Sequence, residues 1–323
     1  MINCGVACRY AAYALTRVAE TKVILNAQSM VGIVLMLTLF SCKASITDKE
    51  NGTGYNLNSP DTSFALPDTL HEISGLTYID ATSFACIQDE NGILFIYNAL
   101  NNKLEKQYTF HLDGDYEGIA RIDKTICVLR SDGTLFEISD FESEDFRLNS
   151  YATGIPANNN EGLCYDPDNN RLLIACKGKI GKGPAYKDKR VIYGFDLKTK
   201  VLTQDPVFDF DLQTIIQFAQ RNDIKLPVKT KKKGQVTEPV IKFRISAICI
   251  HPVTKQLYLI SAADHMIFVF GMNGEIVHIE KLNPAMFNKP EGITFFENGD
   301  MLITNEGQNK RPTLLRFNYG ITK

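Results

Sequence analysis

A short phrase returns along this chain at evenly spaced positions. It reads Ser74-Gly75-Leu76, Glu117-Gly118-Ile119, Glu161-Gly162-Leu163, Ser246-Ala247-Ile248 and Glu291-Gly292-Ile293. The step is about 44 residues, with one interval close to double, which is the signature of an array whose repeat is one supersecondary unit. Such a unit cannot bury its apolar surface alone, so the fold must stack several of them. The chain has 323 residues, 44% hydrophobic and 22% charged, ordinary content for one large globular domain.

Each unit divides into short apolar or alternating runs separated by turn residues, the pattern of strands. The first has runs at Ile73–Ile79, Ser83–Gln88, Ile93–Tyr97 and Lys106–His111, with the turn Asp89-Glu90-Asn91-Gly92 between the second and third. Four antiparallel strands per repeat at this period mark the blade of a β-propeller, an all-β fold. The fifth unit stops after three strands, at Thr313–Phe317, and an unassigned run, Ser63–Leu66, precedes the first. That N-terminal strand is expected to complete the fifth blade and close the ring, since an open ring would leave two unpaired edges. Five blades are therefore expected. The alternative of six rests on the doubled interval, but apolar residues at 212, 215, 216 and 219 behind Asp211 have helical spacing with an N-cap. A basic loop follows, Lys225–Val240, with Lys229, Lys231, Lys232 and Lys233. Insertions are thus expected at 177–190 and 211–243 of a propeller spanning 64–320, both over one mouth of the channel as a lid or partner surface.

The N-terminus reads as an address. Arg9, Arg17 and Lys22 precede the apolar run Met30–Phe40, which is too short for a membrane span and ends in Leu39-Phe40-Ser41-Cys42. That ending resembles the lipobox of bacterial lipoproteins, whose cysteine is acylated. The expectation is a signal peptide at 1–41, a membrane anchor on Cys42, a polar tether at 42–63 and a cell-envelope location. Met30 is an alternative start to Met1. Cys86, Cys127, Cys164, Cys176 and Cys249 recur in strand register and read as small core residues, with a single disulfide as the alternative. The formal net charge of −2 offers no basic face of the kind nucleic acid requires. A monomer is expected.

In a propeller the first strand of each blade lines the channel. The start of strand one and the end of strand two then share a face. This collects Ser74, Glu117, Glu161, Ser246 and Glu291 with Asp89, Glu90, Asp132, Asp264, Asn305 and Glu306. Crowded carboxylates need a counter-charge. Two routes are open: Ca²⁺, which takes six to eight oxygen ligands, or direct pairing with Arg130 and Lys177. A third reading makes the Glu/Ser position a structural cap, with the following Gly permitting close approach. His71 is a candidate base at the rim, and His251 before Pro252 a turn residue. No G-x-S-x-G, H-E-x-x-H, P-loop or zinc spacing is present.

The phrases Glu72-Ile-Ser-Gly-Leu76, Asp115-Tyr-Glu-Gly-Ile119, Asn160-Glu-Gly-Leu-Cys-Tyr-Asp166 and Lys289-Pro-Glu-Gly-Ile293 resemble the SdiA-regulated (YjiK-like) family of bacterial envelope β-propellers. Glu-Gly strand starts also occur in calcium-binding propeller lactonases and phytase-like esterases. The resemblance implies a membrane-associated propeller without an agreed catalytic set. Two functions follow as expectations. One is a non-enzymatic propeller binding a small molecule or protein at its funnel face. The other is a Ca²⁺-dependent lactone or phosphoester hydrolase, with Glu117, Glu161, Glu291 or Asn305 as metal ligands.

Overall fold

The computed structural model describes residues 52–143, 145–157, 159–230 and 237–320. They form a five-bladed β-propeller. Blade one is β2 (Ile73–Tyr78), β3 (Ser83–Gln88), β4 (Ile93–Asn98) and β5 (Lys103–Thr109). Blade two is β6 (Tyr116–Ile122), β7 (Thr125–Arg130), β8 (Thr134–Ser139) and β9 (Arg147–Ala152). Blade three is β10 (Asn160–Asp166), β11 (Arg171–Cys176), β12 (Lys189–Asp196) and an outer strand in two pieces, β13 (Val201–Leu202) and β14 (Phe208–Asp211), both paired to β12. Blade four is β17 (Ala247–Ile250), β18 (Leu257–Ser261), β19 (Met266–Phe270) and β20 (Ile276–Lys281). Blade five is β21 (Pro290–Phe295), β22 (Met301–Asn305), β23 (Thr313–Phe317) and β1 (Thr62–Ala65), which pairs antiparallel with β23 from Thr62 opposite Arg316 to Ala65 opposite Thr313. The N-terminal strand closes the ring, as the edge argument requires. The inner strands touch in the cyclic order β2, β6, β10, β17, β21 and back to β2.

Second strands read as continuous apolar runs because both their faces are buried between blades. On β11, Leu172, Ile174 and Cys176 pack toward blade two while Leu173 and Ala175 pack toward blade four. The same alternation on β3 sends Phe84 and Cys86 toward blade five and Ala85 and Ile87 toward blade two. Five apolar clusters result, one in each gap between neighbouring blades. All five cysteines of this region carry free thiols, four of them buried. The described residues belong to one compact unit, and all their strand pairings fall within it.

Two boundaries differ from the sequence expectation. The polar tether cannot extend to residue 63, because Tyr55 and Leu57 are 3% exposed and belong to the cluster between blades four and five. The Tyr55 hydroxyl donates to the Gly299 carbonyl and meets His251 Nε2 at 2.7 Å. Single apolar residues in a polar stretch carry too little periodicity to reveal this. The helix of the second insertion is also not a lid over the channel. Helix α1 (Leu212–Arg221) forms as expected, with Asp211 Oδ1 accepting from Gln213 N at 2.7 Å and Thr214 N at 3.3 Å. Its Leu212, Ile215 and Ala219, however, join Phe208, Phe210, Phe268 and Phe270 in the gap between blades three and four. The helix is a wedge at that gap, and none of its residues lines the channel. The basic loop contains a two-stranded ribbon, β15 (Val228–Thr230) with β16 (Thr237–Pro239). Lys231, Lys232 and Lys233 lie outside the described residues, as do Cys42 and the whole of 1–41.

Candidate functional site

The repeated phrase is a β-bulge. Ile73 opposes Gln88 and Gly75 opposes Ile87, so Ser74 is the extra residue. The same slip isolates Glu117, Glu161 and Glu291. A bulge residue leaves the ladder and its side chain is re-aimed, here into the channel. The following glycine serves close packing of neighbouring blades. A Cβ on Gly118 would stand 2.7 Å from the Glu161 carbonyl oxygen and 2.8 Å from Leu163 Cβ. On Gly292 it would stand 2.4 Å from Thr304 Oγ1 and 2.5 Å from Leu76 Cδ2.

Ser74, Glu117, Glu161, Ser246 and Glu291 together line one narrow part of the channel. The space among them is about 10 Å³, room for roughly one water. The two serines are ties between blades: Ser74 Oγ donates to the Tyr116 carbonyl at 2.7 Å, and Ser246 Oγ to the Pro290 carbonyl at 3.0 Å. Each acceptor is the residue just before the next blade's glutamate. The three glutamates carry the charge. Lys177 pairs with Glu161, and Lys289 lies 3.7 Å from Glu291. Glu117 has no ammonium partner among the described residues. Burial, and then the neighbouring Glu161 and Asp115, lift its carboxyl to about 9, so it keeps its proton at neutral pH. Burial also raises Glu161 and Glu291, against the opposing pull of the lysines. Glu161 is 2% exposed and its Oε2 has no hydrogen-bond partner.

Beside the ring sits a second acidic group. Glu72, Asp89 and Glu306 each place a carboxylate oxygen within 4.8 Å of the others. Lys289 pairs with Glu306, and His71 Nδ1 lies 3.0 Å from Glu72 Oε1. Burial lifts Glu306, reinforced by its hydrogen bond with Glu72, whose own carboxyl is lowered by the same contact. Burial and the charge of Glu72 push Asp89 up to about 6, and its Oδ1 is buried without a partner. Glu72 and Lys289 escape the strand-spacing argument because both precede the repeated phrase by two positions. Both residues stand inside the repeat segments 72–76 and 289–293, which is where the sequence carries their signal.

The other candidates are committed elsewhere. Asp264 accepts from Lys242 N at 2.9 Å and Phe243 N at 2.7 Å, and from Ser261 Oγ at 2.7 Å, pinning the end of the second insertion. Asn305 is fully buried, its amide donating to the Met286 carbonyl at 3.2 Å and Thr313 Oγ1 at 3.0 Å, with Oδ1 unpartnered. Arg130 folds back on Asp132 at 2.8 Å and over the Phe136 ring, so Lys289 takes the role of second counter-charge that spacing gave to Arg130. His251 is fully buried. Its Nδ1 accepts from Val253 N and Thr254 N, making it both a turn residue and a core residue.

At the other end the channel widens into a cavity of about 300 Å³. Leu76, Ile119, Leu163, Ile248 and Ile293 line both spaces and form a five-membered aliphatic septum between them.

The chain is similar in fold to solved propellers. Glutaminyl cyclase from Myxococcus xanthus superposes with a TM-score of 0.51 at 16% identity, over 80% of this chain and 94% of that one. Streptogramin B lyase gives 0.44 at 12% identity, over 80% and 97%. A Bacteroides thetaiotaomicron protein of unknown function gives 0.45 at 11% identity, over 79% and 56%. The likeness is one of fold. No protein-family model matches the chain, and no curated protein sequence does.

Proposed function

We propose that this protein is a binding propeller of the cell envelope, held to the membrane through an acylated Cys42, whose acidic mouth takes a Ca²⁺ ion. The observation that carries the cation is the spacing of Glu72, Asp89 and Glu306. Two oxygens on one Ca²⁺, each at about 2.3–2.6 Å, stand no more than roughly 5 Å apart, and the three carboxylates already lie within 4.8 Å. The buried Asp89 Oδ1 supplies an acceptor that no described residue uses. Binding would offset the crowding of the three carboxylates and displace the Lys289 ammonium from Glu306. The lipobox-like ending at Cys42 supports the anchor, and the Glu-Gly strand starts support kinship with the SdiA-regulated propellers. Among the described residues no helix is long and apolar enough to cross a membrane.

A hydrolytic reading has one observation in its favour: Glu117 holds a proton that a general acid could deliver. Access weighs against it, because the space at the ring admits only a water. The deciding experiment is calorimetric titration of segment 52–323 with CaCl₂ and MgCl₂ at pH 7.5. Saturable Ca²⁺ binding that disappears in Asp89→Asn and Glu306→Gln is expected. Heat identical in wild type and both variants would reject the cation site.

A further inference from the structure

The cavity beyond the septum is a separate matter from the acidic mouth. Its floor is the aliphatic septum, and its walls add Cys164, Cys249, Ile250 and Phe295. At about 300 Å³ it sits at the lower end of the range for small-molecule sites, enough for a body of roughly fifteen non-hydrogen atoms. A propeller core is otherwise packed to the density of an organic crystal. Here the inner strands stand apart and leave a preformed space open to solvent at one end.

The rim decides the charge of the occupant. Asp166 is neutralised by Arg171 at 2.8 Å and accepts a hydrogen bond from Asn169 Nδ2 at 2.9 Å. Arg121 donates to the carbonyls of Asp123 and Ile79 and lies 5.7 Å from the centre of the Tyr78 ring. Glu297 accepts from the Tyr78 hydroxyl at 2.5 Å. Asp168 and Lys255, of opposite sign, complete the rim. The carboxylates of Asp166, Asp168 and Glu297 thus face the cations Arg171, Arg121 and Lys255, with no net charge. The floor itself is made of five aliphatic side chains, so an ion seated against it would lose its hydration without a counter-charge from the floor. What the wall does offer is a donor. Thr77 Oγ1 accepts the Arg121 N–H at 3.2 Å and retains its own hydrogen to give.

We propose that this cavity binds an uncharged, apolar-bodied small molecule carrying a hydrogen-bond acceptor. Its body lies against the five septum side chains and its acceptor faces Thr77. The septum separates it from the glutamates, so the two ends of the channel hold different ligands and bind them independently.

The probe is prodan, an uncharged naphthalene ketone whose emission shifts to the blue in apolar surroundings, added to segment 52–323. Saturable one-to-one binding with a blue shift is expected, while the anionic naphthalene sulfonate ANS does not bind. Cys249→Phe fills the wall and is expected to weaken prodan by roughly tenfold or more. Glu306→Gln, at the far end, leaves it unchanged. Cys249 is the one described cysteine that is not fully buried, so prodan should also slow its alkylation by N-ethylmaleimide, read by peptide mass spectrometry. This second measurement needs no variant and decides the matter if Cys249→Phe fails to fold. Absent or non-saturable prodan binding, equal affinity in Cys249→Phe, or an alkylation rate indifferent to prodan would each overturn the assignment.

Discussion

Replacing Glu117 with Gln should stabilise the propeller, and only at high pH. The carboxyl is held near 9 against an ordinary 4.5, first by burial and then by Glu161 and Asp115. A folded-state pKa raised in this way means that the stability tied to the neutral carboxyl is complete below about pH 4.5 and is lost as pH climbs toward 9. Each pH unit in that window corresponds to about 1.4 kcal/mol, so the upper bound at pH 7.5 is about 4 kcal/mol. Relaxation of the coupled ring halves that to about 2 kcal/mol. For a domain of this size that is a rise in Tm of about 4–8 °C. The amide keeps the shape and cannot ionise. Calorimetric melting of both proteins from pH 4.5 to 9, in chelator, reads the effect as a Tm difference that opens from near zero as pH rises. A constant offset across the range, or a variant less stable at pH 8 than wild type, would refute the account of a ring with too few counter-charges.

Gly118→Ala drives a Cβ to within 2.7 Å of the Glu161 carbonyl, and urea unfolding should show a loss of about 1–3 kcal/mol. Removal of residues 52–66 strips β1 from β23 together with Tyr55, Leu57 and Leu66. The remaining chain should run as aggregate on gel filtration, since β23 becomes an exposed edge. His251, held down to about 4 by burial and then by Lys255, contributes stability present above its ordinary 6.5 and lost as pH falls through 4. His251→Gln should be less stable at pH 7 and show a flatter decline between pH 6.5 and 4 in urea titrations, by up to about 3 kcal/mol.

The sequence discloses the blades because four of the five have a bulge glycine that packing will not let go, with Ala247 at the matching place in blade four, and because second strands buried on both faces must be apolar throughout. It discloses helix α1 because Asp211 and the residues at 212, 215 and 219 are a cap and a face. It does not say what that face meets: the spacing is the same for a lid and for a wedge. Charges at strand ends were harder to place for a related reason. Arg130 stands one place before the position of Asp89 and Lys177, and Asp264 two places after it, and each meets a closer partner, Asp132 and Lys242 N. The wide cavity left no mark at all. Leu76, Ile119, Leu163, Ile248 and Ile293 are what a packed core would also use, and a space is defined by the side chains that do not meet across it.

The pairing of Thr62–Ala65 with Thr313–Phe317 sets a clock on the chain. Blades one to four can form their internal pairs as they leave the ribosome or emerge from a translocon, each from contiguous sequence. The fifth cannot, because its outer strand is made first and its neighbour last. Until residue 317 is free, β1 is an unpaired strand in search of an edge, and the ring has no seam to close. Loop closure over so long a separation comes late in folding, so the channel and everything bound in it come into being only with the final strand.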